Sequence, residues 1–129
     1  MDRAGFQRWL DSYIAAWQSY DRDAIGALFT DDAEYRYHPW DPEPVRGRDA
    51  IAKDWLDNKD EPGSWRATYT AAVCADDTCV ATGTSDYLTD DRSSVDRAFY
   101  NVFFCRFDDA DRCSSFTEYY MEKPKPKGS

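Results

Sequence analysis

Residues 99–121 read FYNVFFCRFDDADRCSSFTEYYM, two apolar runs that alternate with polar residues and are joined by an Asp-rich turn. Period-two alternation of this kind marks antiparallel strands with one buried face. It puts Asn101 on the same face as Phe99, Phe103, Cys105 and Phe107, and Glu118 on the same face as Phe116 and Tyr120. A carboxylate in line with aromatics has to find water, a partner or a proton, because burying it charged and unpaired is too costly. Glu118 is therefore the first lead to a function.

Working backward from that hairpin, Trp65 to Cys74 and Cys79 to Leu88 alternate in the same way, so four strands, with Arg97 to Phe107 and Cys113 to Met121, form an antiparallel meander. The N-terminal half has the other period. Phe6, Trp9, Leu10, Tyr13, Ile14 and Trp17 recur at helical spacing and predict an amphipathic helix over residues 3–19. Asp21 caps a second, shorter helix through Ala24, Ile25, Leu28 and Phe29, which Thr30-Asp31-Asp32 ends. Tyr35 to His38 reads as a short strand stopped by Pro39, and the three prolines of residues 38–45 predict a rigid loop. Gly47 opens a third helix carrying Ala50, Ile51, Trp55 and Leu56 before the Pro62-Gly63 turn. Helices first and hairpins after is the order of an α+β domain.

Composition limits the partners. With 129 residues the chain is long enough for one core, so residues 1–122 are expected to form a single domain and residues 123–129 a flexible tail. A net charge of −9 repels phosphate backbones and anionic lipid, which argues against nucleic acid. No apolar run approaches a membrane span and Met1 to Gly5 opens no signal-peptide core, so the expected location is cytoplasmic. Five Trp and nine Tyr exceed what packing alone needs and suit a half-polar pocket or an interface.

Cys74, Cys79, Cys105 and Cys113 match no zinc or redox spacing. Each pair flanks a turn, which allows a cross-strand disulfide, but a reducing cytosol makes free structural thiols the expectation. No metal and no cofactor are expected: the chain has no glycine-rich phosphate loop and no His/carboxylate cluster, and its Asp-rich turns lack the ligand spacing of a calcium loop.

The order of elements and several residues resemble a known family. Ala16-Trp17, Asp23-Ala24-Ile25 to Leu28-Phe29, Asp32-Ala33, Gly47-x-Asp49-Ala50-Ile51, Asn101-x-Phe103 and Phe116-Thr117-Glu118-Tyr119-Tyr120 resemble the SnoaL-like branch of the nuclear transport factor two-like superfamily, over nearly the full chain. The resemblance implies a cone-shaped α+β barrel in which a strongly curved, mostly antiparallel sheet wraps three helices around a deep pocket, usually in a homodimer joined sheet to sheet. Members include ketosteroid isomerases, polyketide cyclases, dehydratases, epoxide hydrolases and non-catalytic binders, so the fold does not choose among them.

In several catalytic members a pocket carboxylate removes a proton beside a carbonyl while a tyrosine or protonated acid donates to the oxyanion. Glu118 resembles the carboxylate in that role, with Asn101 and His38 as further catalytic candidates. Tyr13, Trp17, Arg36, Tyr37, Trp40, Trp55, Tyr69, Tyr87, Phe103, Phe116 and Tyr120 are the candidate ligand contacts. Other readings stand beside these. Glu118 can make a structural ion pair with Arg36 or Arg106, Asn101 can satisfy a backbone group, and His38 can pack at the lip of the proline loop. Asp86 is expected to face outward. A cyclase-like reaction with one acid in the final strand, a non-catalytic aromatic binding chamber, and a protein-interaction module are the three function classes left; the small-molecule chamber leads.

Overall fold

The computed structural model describes residues 1–125. Helix α1, Arg3–Ser19, begins at Asp2, whose side chain accepts from the Gly5 N–H at 2.7 Å. It ends at Tyr20, which takes a left-handed φ of 50°. Helix α2, Arg22–Gly26, is capped by Asp21 as expected. Strand β1, Phe29–Arg36, and the two-residue strand β2, Val45–Arg46, precede helix α3, Arg48–Asp57. Four long strands follow: β3 Trp65–Ala75, β4 Thr78–Leu88, β5 Val95–Phe107 and β6 Cys113–Glu122.

The fold is the α+β cone anticipated, with the sheet curved but unclosed. Its order is β2-β1-β6-β5-β4-β3, so β2 and β3 are free edges. The meander β3 to β6 is antiparallel throughout, while β1 joins β6 in parallel, Tyr35 opposite Phe116 and Arg36 opposite Thr117. Among the described residues no helix is long and apolar enough to cross a membrane.

The expected face assignment holds. Phe99, Asn101, Phe103, Cys105 and Phe107 are buried in strict alternation along β5, and Phe6, Trp9, Leu10, Tyr13 and Ala16 of α1 pack into the same concavity. Each fully buried large side chain there contributes about 1.5–3 kcal/mol. Gln7 fixes where α1 lies: its amide donates to Tyr69 O at 3.0 Å and accepts from Ala71 N–H at 2.9 Å. One side chain thus covers part of the exposed β3 edge, which would otherwise be a template for wrong pairing.

Three local expectations are corrected. The second helix stops at Gly26, not Phe29, and β1 begins at Phe29, because Thr30-Asp31-Asp32 forms an irregularity within a strand instead of ending a helix. The proline loop contains β2, which pairs Val45 with Tyr35 and Arg46 with Glu34. Cys74 and Cys79 are joined in a disulfide, where free thiols were expected. The β3–β4 register sets these residues directly opposite each other around the Asp76-Asp77 turn, Cα atoms 4.1 Å apart. Cys105 and Cys113 are free and buried.

Lys123 N–H still bonds Ala98 O at 2.8 Å and Lys125 pairs with Asp96 at 3.0 Å; residues 126–129, part of the expected tail, lie outside the described residues.

Thiol titration tests the cysteine assignment. Two thiols per chain are expected under non-reducing denaturing conditions and four after reduction. Because the disulfide closes so short a loop, removing it through Cys74→Ser/Cys79→Ser should lower stability by about 2 kcal/mol or less, read by urea unfolding. Four thiols without reductant would refute the pairing.

Candidate functional site

The helices fill only part of the cone. Above the packed aromatics lies a chamber of about 480 Å³ lined by six tyrosines, two tryptophans and three carboxylates. The walls follow from strand alternation and helix period. Tyr13 and Trp17 are one turn apart on α1, Tyr35 and Tyr37 alternate along and just beyond β1, and Tyr69, Ser85, Tyr87 and Glu118 come from β3, β4 and β6. Asp54, Trp55 and Asn58 are supplied by α3 and its C-cap, and Asp60 by the loop that follows.

Phe103 and Phe116 do not line the chamber; they hold its floor from beneath. Phe116 stacks on Tyr35 with ring centroids 4.4 Å apart and on Tyr13 at 5.6 Å, and Phe103 packs on Tyr69 at 4.4 Å. With its ring thus trapped, Tyr13 shares a hydroxyl–hydroxyl bond of 2.9 Å with Tyr35. Gly83 makes the Tyr69 position possible: a Cβ there would lie 2.4 Å from the Tyr69 ring and 2.2 Å from Thr68 O.

Glu118 is half-buried and makes no ion pair or hydrogen bond among the described residues. Arg36, one of its two expected partners, turns to Glu34 at 3.4 Å and to Asp41 O at 3.3 Å. Arg106, the other, alternates outward on β5 and is exposed. Loss of water without compensation raises the Glu118 carboxyl from an ordinary 4.5 to about 7. Burial raises the phenols of Tyr13, Tyr35, Tyr37, Tyr69 and Tyr87 as well, and the Glu118 charge adds to each, so all five remain protonated donors.

Asn101 is buried behind Glu118 in an adjoining compartment that also takes in Asp60, Ser85, Tyr87, Arg97, Phe99 and Tyr120. Its Nδ2 donates to Ser85 Oγ at 2.9 Å, while Oδ1 has no partner. Glu118 borders this compartment as well as the chamber, so the amide and the acid line one shared space.

Other candidates lie elsewhere. His38 and Trp40 stand at the lip, rings 4.8 Å apart, with His38 Nε2 2.8 Å from the Tyr120 hydroxyl and Nδ1 3.3 Å from Asp41. Trp40, Tyr120 and Met121 border an outer groove of about 510 Å³, not the chamber. Arg36 lines neither. Asp86 faces outward to Arg66 at 3.3 Å, as expected.

The residues missed are Tyr20, Tyr35, Asp54, Asn58, Asp60, Ser85 and Arg97. Asp54 and Asn58 carried a readable signal, being one helical turn apart on the third helix; Asp60 carried none, since its place depends on how a loop crosses the cone. There Asp60 Oδ2 accepts from Trp17 Nε1 at 3.0 Å and from the Tyr20 hydroxyl at 3.5 Å, and Asp60 N–H donates back to that hydroxyl at 2.8 Å. The Tyr37 hydroxyl donates to Asp54. Among the described residues no group of three or more His, Cys, Asp or Glu is placed to hold a metal ion.

The pattern of the SnoaL-like domain matches residues 10–114, most of the chain. The chain belongs to the SnoaL-like family. Solved structures carry the same fold at low identity. A candidate ketosteroid isomerase from Kribbella flavida is 17% identical, with 98% of this chain and 85% of that one covered and a TM-score of 0.68. A nuclear transport factor 2-like protein of unknown function from Burkholderia xenovorans, also 17% identical, covers 97% and 89% at 0.70. An LEH-like epoxide hydrolase of M. tuberculosis is 15% identical and covers 92% and 84% at 0.66. At these identities the likeness is one of fold. No curated protein matches the chain in sequence.

The raised Glu118 carboxyl has a cost that depends on pH. Between about 4.5 and about 7 the folded chain holds a proton that the unfolded chain has released, so stability falls as pH rises through this window. Replacing Glu118 by Gln should leave stability near pH 4 almost unchanged and raise it above pH 7 by roughly 1–3 kcal/mol, read from urea midpoints across the range. A variant less stable than the parent at high pH would mean that Glu118 is charge-paired after all.

Proposed function

We propose that residues 1–122 act as one small-molecule-binding unit in which Glu118 is a general base toward a C–H bond activated by a carbonyl, as in isomerase or cyclase chemistry. The observation that carries this reading is a carboxylate with neither cation nor hydrogen bond among the described residues, raised to about 7 by burial, in a chamber whose phenols stay neutral. Near pH 7 such a group is ionised often enough to take a proton and basic enough to hold it. The Tyr13–Tyr35 hydroxyl pair and Tyr69 supply donors for a developing enolate, and the aromatic side chains offer contact surface to a ring-shaped ligand. Asn101 orients that ligand through its unpartnered oxygen. Similarity in fold to a candidate ketosteroid isomerase supports proton transfer over other chemistries only by analogy.

β-Tetralone, a bicyclic ketone with acidic C–H bonds, is a suitable probe. Its exchange with deuterium oxide, followed by proton NMR, should be accelerated with a pH midpoint near 7 and slowed about 10²–10⁴-fold by Glu118→Gln. Binding, read by tryptophan fluorescence, should survive in that variant. Equal exchange rates would sink the base assignment; binding without exchange in the parent would favour a non-catalytic carrier.

The same reading includes a cytoplasmic homodimer formed sheet to sheet. Its support is the apolar outer face of the sheet, where Val73, Tyr100, Val102, Phe104, Tyr119 and Met121 are exposed. Light scattering should give twice the chain mass for the parent and the chain mass for Val102→Glu/Phe104→Glu; a monomeric parent would refute it.

A further inference from the structure

The charges around the chamber are all of one sign. Asp54, Asp60 and Glu118 line it, and no Lys, Arg or His does. Two cations stand beside the chamber without lining it. Arg97, in the adjoining compartment, grips both oxygens of Glu122 at 2.7 and 3.3 Å, and Lys59 lies 5.7 Å over the Tyr20 ring without lining the chamber. A carboxylate kept for structure ordinarily recruits a cation, as Asp31 does with Arg48 and Asp96 with Lys125. These three do not.

Asp60 is the most constrained of them. Trp17 Nε1 and the Tyr20 hydroxyl hold one of its oxygens, and the residue borders both compartments. The donors also fix the aromatic surfaces around it. Trp17 is clamped by stacking on Trp65 at 3.5 Å and 12°, and Tyr87 lines the same chamber. A carboxylate beside aromatic rings attracts an organic cation through its charge, and each ring face the cation meets adds its quadrupole. Deeper in, Asn101 is 4% exposed, its Oδ1 has no partner, and Glu118 has none either. Asn101 Oδ1 is an acceptor, and so is Glu118 where it is ionised, so a hydrogen-bond donor complements both. Burial and the Asp60 charge together raise the Tyr87 phenol, the direction a negative field requires. The carboxylates are too dispersed to form a metal cluster among the described residues.

We infer that the ligand of this chamber is an organic cation, a protonated or quaternary amine on an apolar frame, whose nitrogen sits against Asp60 among Trp17, Tyr20 and Tyr87. This rests on the small-molecule reading of the chamber and specifies its substrate class: a neutral polyketide or steroid frame leaves Asp60 without a counter-charge, and a carboxylate ligand is repelled by Asp54 and Asp60 and by Glu118 where it is ionised. The net charge of −9 favours the same ligand at long range.

Three rigid probes of one shape and different charge test the inference at neutral pH: adamantylammonium, adamantanol and adamantanecarboxylate, titrated by calorimetry. The ammonium should bind about tenfold tighter than the alcohol, and the carboxylate weakest, with the advantage of the ammonium shrinking as salt is added. In Asp60→Asn the ammonium should lose most of that advantage while the alcohol changes by no more than about twofold. Where Asp60→Asn does not fold, the order of affinities and its salt dependence in the unaltered protein decide alone. Alcohol and ammonium binding equally, or the carboxylate binding tightest, overturns the organic-cation inference and leaves the small-molecule chamber standing. No binding by any probe at millimolar concentration overturns both. The base role of Glu118 is judged separately by the exchange of β-tetralone.

Discussion

The packing of α1 into the concave face of the sheet is the constraint from which the rest follows. Tyr13 carries most of it: its ring lies against Phe116, Trp55 and Phe103 at 5.6, 5.1 and 5.5 Å, so one helix residue meets α3, β5 and β6 at once. Residues nearer the N-terminus, Phe6 and Leu10, are fully buried below that level. Those nearer the C-terminus, Trp17 and Tyr20, reach a space the helix no longer fills. A cone packed at its narrow end by one helix must leave its wide end open, and the chamber is that remainder. Gln7, bonded to the β3 edge, sets the depth of the helix and hence the height of the chamber floor.

The polar groups of the chamber are placed by aromatic packing, not by one another. Glu118 and Asn101 sit where strand alternation leaves them, beside buried Phe116 and Phe103, and neither the carboxyl nor the Asn101 oxygen has a partner among the described residues. In a stability-optimised core both positions would be apolar, because an unpaired buried acceptor costs about 1–3 kcal/mol. A domain that keeps two such groups on adjacent strands, with phenols held protonated around them, has the character of a site in which polar demand is left for a ligand to meet. The contrast with the outer face is clear. There Arg66 and Asp86 pair across neighbouring strands in the ordinary way.

Similarity to structures of different activity agrees with this division. The fold, helices packed in a curved sheet, is shared at 15–17% identity, so it does not require the particular residues found here. A shared fold of this kind hosts unrelated functions, which are set by the polar residues grafted on it.

The α1 face, the four long strands and the inward side of β5 were legible in the sequence because each rests on a period, 3.6 or 2, repeated over enough residues to be unambiguous. Glu118 and Asn101 were legible for the same reason, as breaks in an otherwise aromatic face. Three things depended on the tertiary structure. The parallel pairing of β1 with β6, separated by most of the chain, brings Tyr35 and Tyr37 beside Glu118, and no local pattern encodes that contact. The β3–β4 register sets Cys74 opposite Cys79, whereas composition and compartment spoke for free thiols. Asp60 lies in a loop without periodicity and acquires its place only when Trp17 and Tyr20, forty residues earlier, fold over it. Periodic burial is a local property and can be read along the chain. The sign of the charge around a cavity is a sum over residues distant in sequence, and exists only once they are brought together.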